Sequence, residues 1–413
     1  MIYKKANIGD LVTLCQGFAI NKKTNHHISE EPTSLHLLRI GDMKNGNFSI
    51  FVKDTIPKKF IAKEHDIIYT RTGQVGLVFR KQNGVIHNNC FTVTSKDDKI
   101  LYQEFLYYVL QEKLFYEEAI SRATGAAQPD LPHDAFNSIQ IFLPPIDSQI
   151  RITEILNSYD NLIENNQKQI KLLEEAAQRL YKEWFVDLRF PEHEKVEVVD
   201  GVPKGWKKVA LSKVIEYEIG GGWGEENATE NCNSTAFVIR GTDLYGITHG
   251  DFKNIPFRYH SSNNLKSRRI KSGDIVFEVS GGSKTEGVAK TVLINQDFIN
   301  NLHSDVICAS FCKLVRPIEN YSQYLYDTFK YLRVSGQTTA FDKKSASSIV
   351  NYRWKDFLEQ QEILCPCDNI IQYYNRNAKF IYRKIISLSI MIEKLKEARD
   401  CLLPKLMSGE LEV

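Results

Sequence analysis

Two stretches of this chain carry the same unbroken alternation of four- and three-residue spacings between apolar positions, and that repeat limits the fold more than any other feature. In the first stretch the positions are Ile152, Leu156, Tyr159, Ile163, Asn166, Ile170, Leu173, Ala177, Leu180 and Trp184. In the second they are Tyr374, Ala378, Ile381, Ile385, Leu388, Ile392, Leu395, Arg399, Leu402 and Leu406, in the same phase and 222 residues on. Such a pattern is a coiled-coil seam, because it keeps one stripe of a helix facing a partner. A helix of about 40 residues rising about 1.5 Å per residue spans about 60 Å, more than a globular core needs. Two matched seams on one chain favour pairing with each other, since their effective mutual concentration is high. A helix packed on its own domain, or a homodimer, would leave the same stripe. Asn166 within the first seam suits a register-fixing polar position or a solvent-facing one.

The repeat extends beyond the helices. Leu173-Glu174-Glu175-Ala176-Ala177 returns as Leu395-Lys396-Glu397-Ala398-Arg399, and Ala135-Phe136 through Leu143-Pro144 matches Asp356-Phe357 through Cys365-Pro366. Upstream, Arg39-Ile40-Gly41-Asp42 resembles Arg240-Gly241-Thr242-Asp243, and His65 to Tyr69 resembles Gly273 to Phe277, at the smaller offsets of 201 and 208. Globular parts that differ by insertions therefore alternate with helices that keep register. The expected fold is α+β: two globular mixed α/β domains separated by two long antiparallel coiled-coil helices, with an internal pseudo-twofold repeat that makes a dumbbell. The first domain is expected over 1–146, its long helix over 147–190, the second domain over 191–366 and its long helix over 367–413. Each domain reads as short strands broken by Gly, Asn and Asp turns, with a helix at Tyr102 to Ala119 or Tyr321 to Leu332.

Composition excludes some classes. A formal net charge of +2 confines any basic surface to local patches. No run approaches the roughly 20 apolar residues of a membrane span, and the beginning of the chain has no signal-peptide core, so the cytoplasm is the expected address. Eight cysteines in 413 residues are too sparse for a disulfide framework. Cys308 and Cys312, four apart in a β-like run, read as buried neighbours on one sheet face, although with Cys365 and Cys367 they number the four ligands of a zinc site.

Polar loops are the informative part of the domains. Thr70 to Gly76, with Arg71, Thr72 and Gln74, and Ser280 to Lys284, with Ser283, each follow a strand and combine Gly with side chains that bond phosphates or base edges. A second loop precedes the last strand of each domain: Arg122 to Gln128, with Thr124, and Gln337 to Lys344, with Thr338 and Lys343. Arg and Gln bond guanine and adenine bidentately. Arg39, Lys44 and Arg240 complete the candidate DNA contacts, although Arg39 and Arg240 each precede an Asp by three residues, a spacing that equally suits a local ion pair. Ordinary solvated hairpin turns fit the same loops. Catalytic motifs are missing: there is no Gly-x-x-x-x-Gly-Lys-Ser/Thr loop and no His-Glu-x-x-His helix. Pro144-Pro145 lacks the flanks of an adenine-methyltransferase motif, and no Asp/Glu-x-Lys follows Pro129-Asp130 at nuclease spacing.

Over essentially its whole length the chain resembles the specificity subunits of type I restriction-modification systems. Leu143-Pro144-Pro145-Ile146, Gln149-Ile150-Arg151-Ile152 and Glu174-Glu175-Ala176 look like the family's central region. Val202-Pro203-Lys204-Gly205-Trp206 looks like the opening of a second recognition domain, and Leu403 to Leu411 like the closing signature. Met1 to Leu11 departs from that pattern, lacking a Pro-x-Gly-Trp opening. The resemblance implies a non-catalytic subunit whose two target-recognition domains each read half of a split double-stranded DNA target, with helices that set the unread gap. It also implies two docked methyltransferase subunits and restriction/translocase subunits. AdoMet, ATP and Mg would then sit on those partners, with no cofactor in this chain.

Overall fold

The computed structural model describes residues 4–281, 287–344 and 350–413. It divides into two compact units, one made of residues 1–163 with 395–413 and the other of residues 164–394. Both long helices therefore contribute to both units.

The helices run Ile146–Phe185 and Asp368–Ser408. Pro144 and Pro145 set the first start, and the carbonyl of Pro145 accepts the amides of Ser148 and Gln149. Gln149 is fully buried and stitches this start to the domain, donating to the carbonyls of Pro144 and Ile100 and accepting the amide of Tyr102, each at 2.9 Å. The second helix stops where Gly409 adopts a φ of +76°, a left-handed residue that favours glycine. None of the seam positions on either helix is exposed, and Asn166 is buried among them.

Within each unit the two helices pass antiparallel. In the first, Ile152 and Leu156 share a core with Leu406 and Met407, while Asp160 meets Arg399. In the second, Trp184 packs on Tyr373 and Tyr374, while Ala177 and Gln178 face Tyr382.

Each unit repeats one sheet plan. In the first, a four-stranded antiparallel sheet has the order Val12–Gln16, Cys90–Ser95, Ile67–Thr70, Val78–Phe79; in the second the order is Ile215–Gly220, Cys312–Pro317, Ile275–Glu278, Thr291–Leu293. A second sheet in each contains a parallel pair, Leu35–Leu38 with Gly84–Ile86 and Ser234–Ile239 with Val306–Cys308. A two-strand ribbon in each unit pairs an early strand with the strand before a long helix: Lys4–Asn7 with Gln140–Leu143, and Lys207–Ala210 with Glu362–Cys365. The alternating apolar runs of these strands fill the cores around Tyr69, Phe91 and Phe136, and around Phe277, Phe329 and Phe357.

The structure corrects two local expectations. The helix expected from Tyr102 to Ala119 is two helices, Gln103–Val109 and Lys113–Arg122. The chain turns at Leu110 to Glu112, where i→i−3 bonds to Tyr108 and Val109 keep Leu110 in the core and let Phe115 and Ala119 return to it. Its counterpart, Ser322–Val334, is continuous. Cys308 and Cys312 do not share one strand. Cys308 ends one strand and Cys312 begins the next, across a turn closed by the Cys312 amide on the Ala309 carbonyl at 2.8 Å. Both thiols line the same core, and burial pushes the Cys308 thiol up to about 12.

Buried polar knots fasten each globular part to the long helices. In the first unit, Asp160 accepts Arg80 at 2.8 Å, Arg399 at 2.7 Å and the Tyr108 hydroxyl at 2.7 Å. In the second, Asp327 accepts Tyr374 at 2.7 Å, Tyr382 at 2.5 Å and Gln323 at 2.9 Å, and burial raises its carboxyl pKa. Asp160 and Tyr382 stand at the repeat offset of 222. The two units therefore make the same carboxylate–tyrosine bond with donor and acceptor exchanged between domain and helix.

Candidate nucleic-acid interface

At one edge of each four-stranded sheet, three separate segments of chain are brought together by main-chain hydrogen bonds, and the pattern is the same in both units. In the first, the Gly17 amide bonds the Cys90 carbonyl at 3.0 Å, and the amides of Arg71 and Thr72 bond the Asn89 carbonyl at 2.8 and 3.2 Å. In the second, the Gly221 amide bonds the Cys312 carbonyl at 3.0 Å, and the amides of Val279 and Ser280 bond the Phe311 carbonyl at 2.9 and 3.3 Å. Glycine is needed at the crossing: a Cβ on Gly17 would lie 2.2 Å from the His87 carbonyl oxygen, and one on Gly221 would lie 2.1 Å from that of Ala309. A fourth segment closes each edge through an isolated bridge, Thr72 to Asp130 and Ser280 to Asn351.

The same skeleton presents different side chains. In the first unit Arg71 is held bidentately by Asp130, at 3.1 and 2.6 Å, and also donates to Gln16 at 3.1 Å. The Thr72 hydroxyl donates to Asp130, and the Gln16 amide donates to the carbonyls of Asn88 and Cys90. The Arg71 hydrogen bonds, followed by that of Thr72, hold the Asp130 carboxyl below the usual range. In the second unit Val279 replaces Arg71, Asn351 replaces Asp130, and the Ser280 hydroxyl donates to Asn351 Oδ1 at 2.7 Å. Phe311 stands where the first unit has Asn89, and is 57% exposed.

The remaining sequence candidates fall into three groups. Gln74 is exposed and accepts Lys44 Nζ at 3.3 Å, while Thr124 and Gln128 are exposed beside the Thr124–Asp130 bridge. Lys343 is also exposed, opposite Asn351 in a short hairpin. These residues adjoin the edges just described. Arg39 and Arg240 form the local pairs that their spacing allowed, with Asp42 at 2.6 Å and Asp243 at 2.7 Å, and Arg122 folds back on Glu118 of its own helix. Thr338 is buried in a 3-10 turn, Gln337–Phe341, and Ser280 is buried beneath Asn351. Ser283 and Lys284 lie outside the described residues. Gln16, Asn88, Asn89 and Asp130 in the first unit, and Phe311 and Asn351 in the second, are not among the sequence's DNA-contact candidates, because only strand register brings them to the edge of their own unit.

No helix among the described residues is long and apolar enough to cross a membrane. Residues 3–175 match the family model described as the type I restriction modification DNA specificity domain. Among curated proteins, the chain is 27% identical to the type I restriction enzyme MjaIX specificity subunit of Methanocaldococcus jannaschii, covering 84% of this chain and 78% of that protein. It is 28% identical to the MjaVIII specificity subunit of the same organism, covering 70% and 67%. Among solved structures, the S subunit of a type I restriction-modification system from M. genitalium superposes with a TM-score of 0.58 at 15% identity, covering 98% of this chain and 96% of that one. The shared fold extends along both chains.

Proposed function

We propose that the chain is a type I restriction-modification specificity subunit, a non-catalytic protein of DNA recognition, as its similarity to that DNA specificity domain and to curated specificity subunits supports, and that it divides the work between its two units. Each unit reads one half of a split double-stranded DNA target with its sheet edge, and the long helices fix the number of unread base pairs between the halves. One observation carries this reading: a single hydrogen-bonded skeleton occurs twice with different side chains on it, Gln16, Arg71, Asn89 and Asp130 in one unit against Val279, Phe311 and Asn351 in the other. A common frame with exchanged side chains suits two readers of different sequences, since base edges are told apart by the pattern of donors, acceptors and apolar groups.

Exposed apolar side chains on the helices support docking of partner subunits. Leu172, Tyr373, Phe380 and Met391, 63, 48, 73 and 51% exposed, all lie on helix segments of the second unit. Two methyltransferase subunits and the restriction/translocase subunits are the proposed partners. AdoMet, ATP and Mg belong to them, none is held by this chain, and the complex works in the cytoplasm.

The test is to express the chain with its neighbouring methyltransferase subunit and map methylated adenines across the host genome by long-read sequencing. A split motif with a fixed gap, absent without this chain, is the expected result. Methylation unaffected by its deletion rejects the proposal.

A further inference from the structure

One segment at the second unit's edge is not explained by the shared skeleton: the run Gly220-Gly221-Gly222-Trp223-Gly224. It is pinned on both sides of its aromatic residue. Before Trp223, the Gly220 carbonyl accepts Arg268 Nε at 2.9 Å and the Gly222 amide bonds the Cys308 carbonyl at 2.9 Å. After it, Glu225 and Tyr259 exchange two main-chain bonds of 2.9 Å. Gly224 has a φ of +77°, and a Cβ there would lie 2.4 Å from Cε1 of the fully buried His260, so the loop bends sharply with no room for a side chain. The bend leaves Trp223 41% exposed, although indole is one of the side chains with most to gain from burial.

The ring is oriented nonetheless. The Arg258 guanidinium lies 5.1 Å from its centroid, and Arg258 also reaches the exposed carboxylate of Glu226 at 3.1 Å. That second contact is an ion pair of the kind a phosphate can replace, because the Glu226 side chain is 76% exposed. Phe311, in the same skeleton next to the Cys312 that accepts the Gly221 amide, is also exposed. Among the described residues, the matching positions of the first unit differ: Phe18, at the position of Gly222, packs edge-on against Phe60 and His27, and Asn89 takes the place of Phe311. An outward indole backed by a cation, on an edge that also carries Arg268, suits a polyanion with flat apolar faces between its charges. Duplex DNA is such a partner and an apolar peptide is not.

We propose that Trp223 is a wedge that enters a base step of the half-target read by the second unit, partly unstacking that step and bending the duplex there. The first unit reads its half without a wedge. This rests on the DNA-reading proposal above and adds to it a distortion confined to one half.

The test uses the complex assembled with its methyltransferase subunit and duplexes carrying the mapped target, with 2-aminopurine placed in turn at each step. Apart from the methylated adenines, which the methyltransferase itself draws out of the stack, wild type is expected to raise 2-aminopurine emission severalfold at one step, in one half only. Trp223→Ala is expected to abolish that rise and weaken target binding about tenfold, as loss of one stacked ring does, while binding to scrambled DNA and co-purification of the methyltransferase subunit stay unchanged. Trp223→Phe is expected to recover most of both effects. Emission and affinity unchanged in Trp223→Ala overturn the wedge while leaving the DNA-reading proposal standing. A wild-type complex that does not distinguish target from scrambled DNA overturns both.

Discussion

Asp160→Ala should loosen the first unit and leave the second as it was. The Asp160 carboxylate is 9% exposed and takes hydrogen bonds from Arg80, Arg399 and Tyr108, so its removal withdraws the common acceptor of two guanidinium groups and a phenol. Removing one partner of a buried ion pair costs about 3–5 kcal/mol. Here each donor keeps a second acceptor: Arg80 has Glu104 at 3.0 Å, Tyr108 has Asn157 at 2.8 Å, and Arg399 has Asp400 at 2.8 Å. The lower end, about 3 kcal/mol, is therefore expected, with Asp160→Asn at about half of that because an acceptor oxygen remains. Two units in one chain make a single unfolding midpoint a poor readout, so native-state hydrogen exchange is the assay. Amides of Gln103–Val109 should lose protection by about a hundredfold, each tenfold being about 1.4 kcal/mol, while those of Ser322–Val334 change less than about threefold. Equal losses in both units, or no loss in the first, would refute the reasoning.

Three further outcomes are expected. Gly221→Ala puts a Cβ 2.1 Å from the Ala309 carbonyl oxygen, so protection of DNA by the assembled complex should be lost over one half-target and kept over the other, as read by footprinting. Burial, with Arg268 nearby, lowers the pKa of His260, so the folded chain keeps it neutral where the unfolded chain takes up a proton. Its contribution to stability is whole above the ordinary value of 6.5 and is lost as pH falls below it, and His260→Phe should flatten the decline in hydrogen-exchange protection of the second unit's core amides between about pH 7 and 5, once intrinsic exchange rates are corrected for pH. Phe380→Asp with Met391→Asp, both at exposed positions, should abolish co-purification of the methyltransferase subunit while melting shifts by less than about 2 °C.

Where a periodic pattern is local, the sequence made the structure legible. Both helices follow from the seam and from Pro145 and Gly409, and the tandem plan follows from the 222-residue repeat. The pairs of Arg39 with Asp42 and Arg240 with Asp243 were readable for the same reason, being three residues apart. The sheet edge was legible only in part. Thr70 to Gly76 stands out by its Gly and polar content, but Gln16, Asn89 and Asp130 join it through strand register over 16–130, which no window of sequence contains. The turn between Cys308 and Cys312 has neither Gly nor Pro, so the two cysteines looked like one strand. Asp160 was passed over because a carboxylate beside a seam ordinarily faces water, and its three donors come from three different parts of the chain.

The central claim is that the helices measure the gap between two half-targets. Inserting one heptad after Ile163 and another before Leu395, so that the paired seams stay in phase, lengthens the helical path joining the two units by about 10 Å, or about three base pairs at 3.4 Å each. Long-read methylation mapping of the insertion variant should return both half-motifs unchanged and their gap wider by about three base pairs. The same two half-motifs at the original gap would contradict the account.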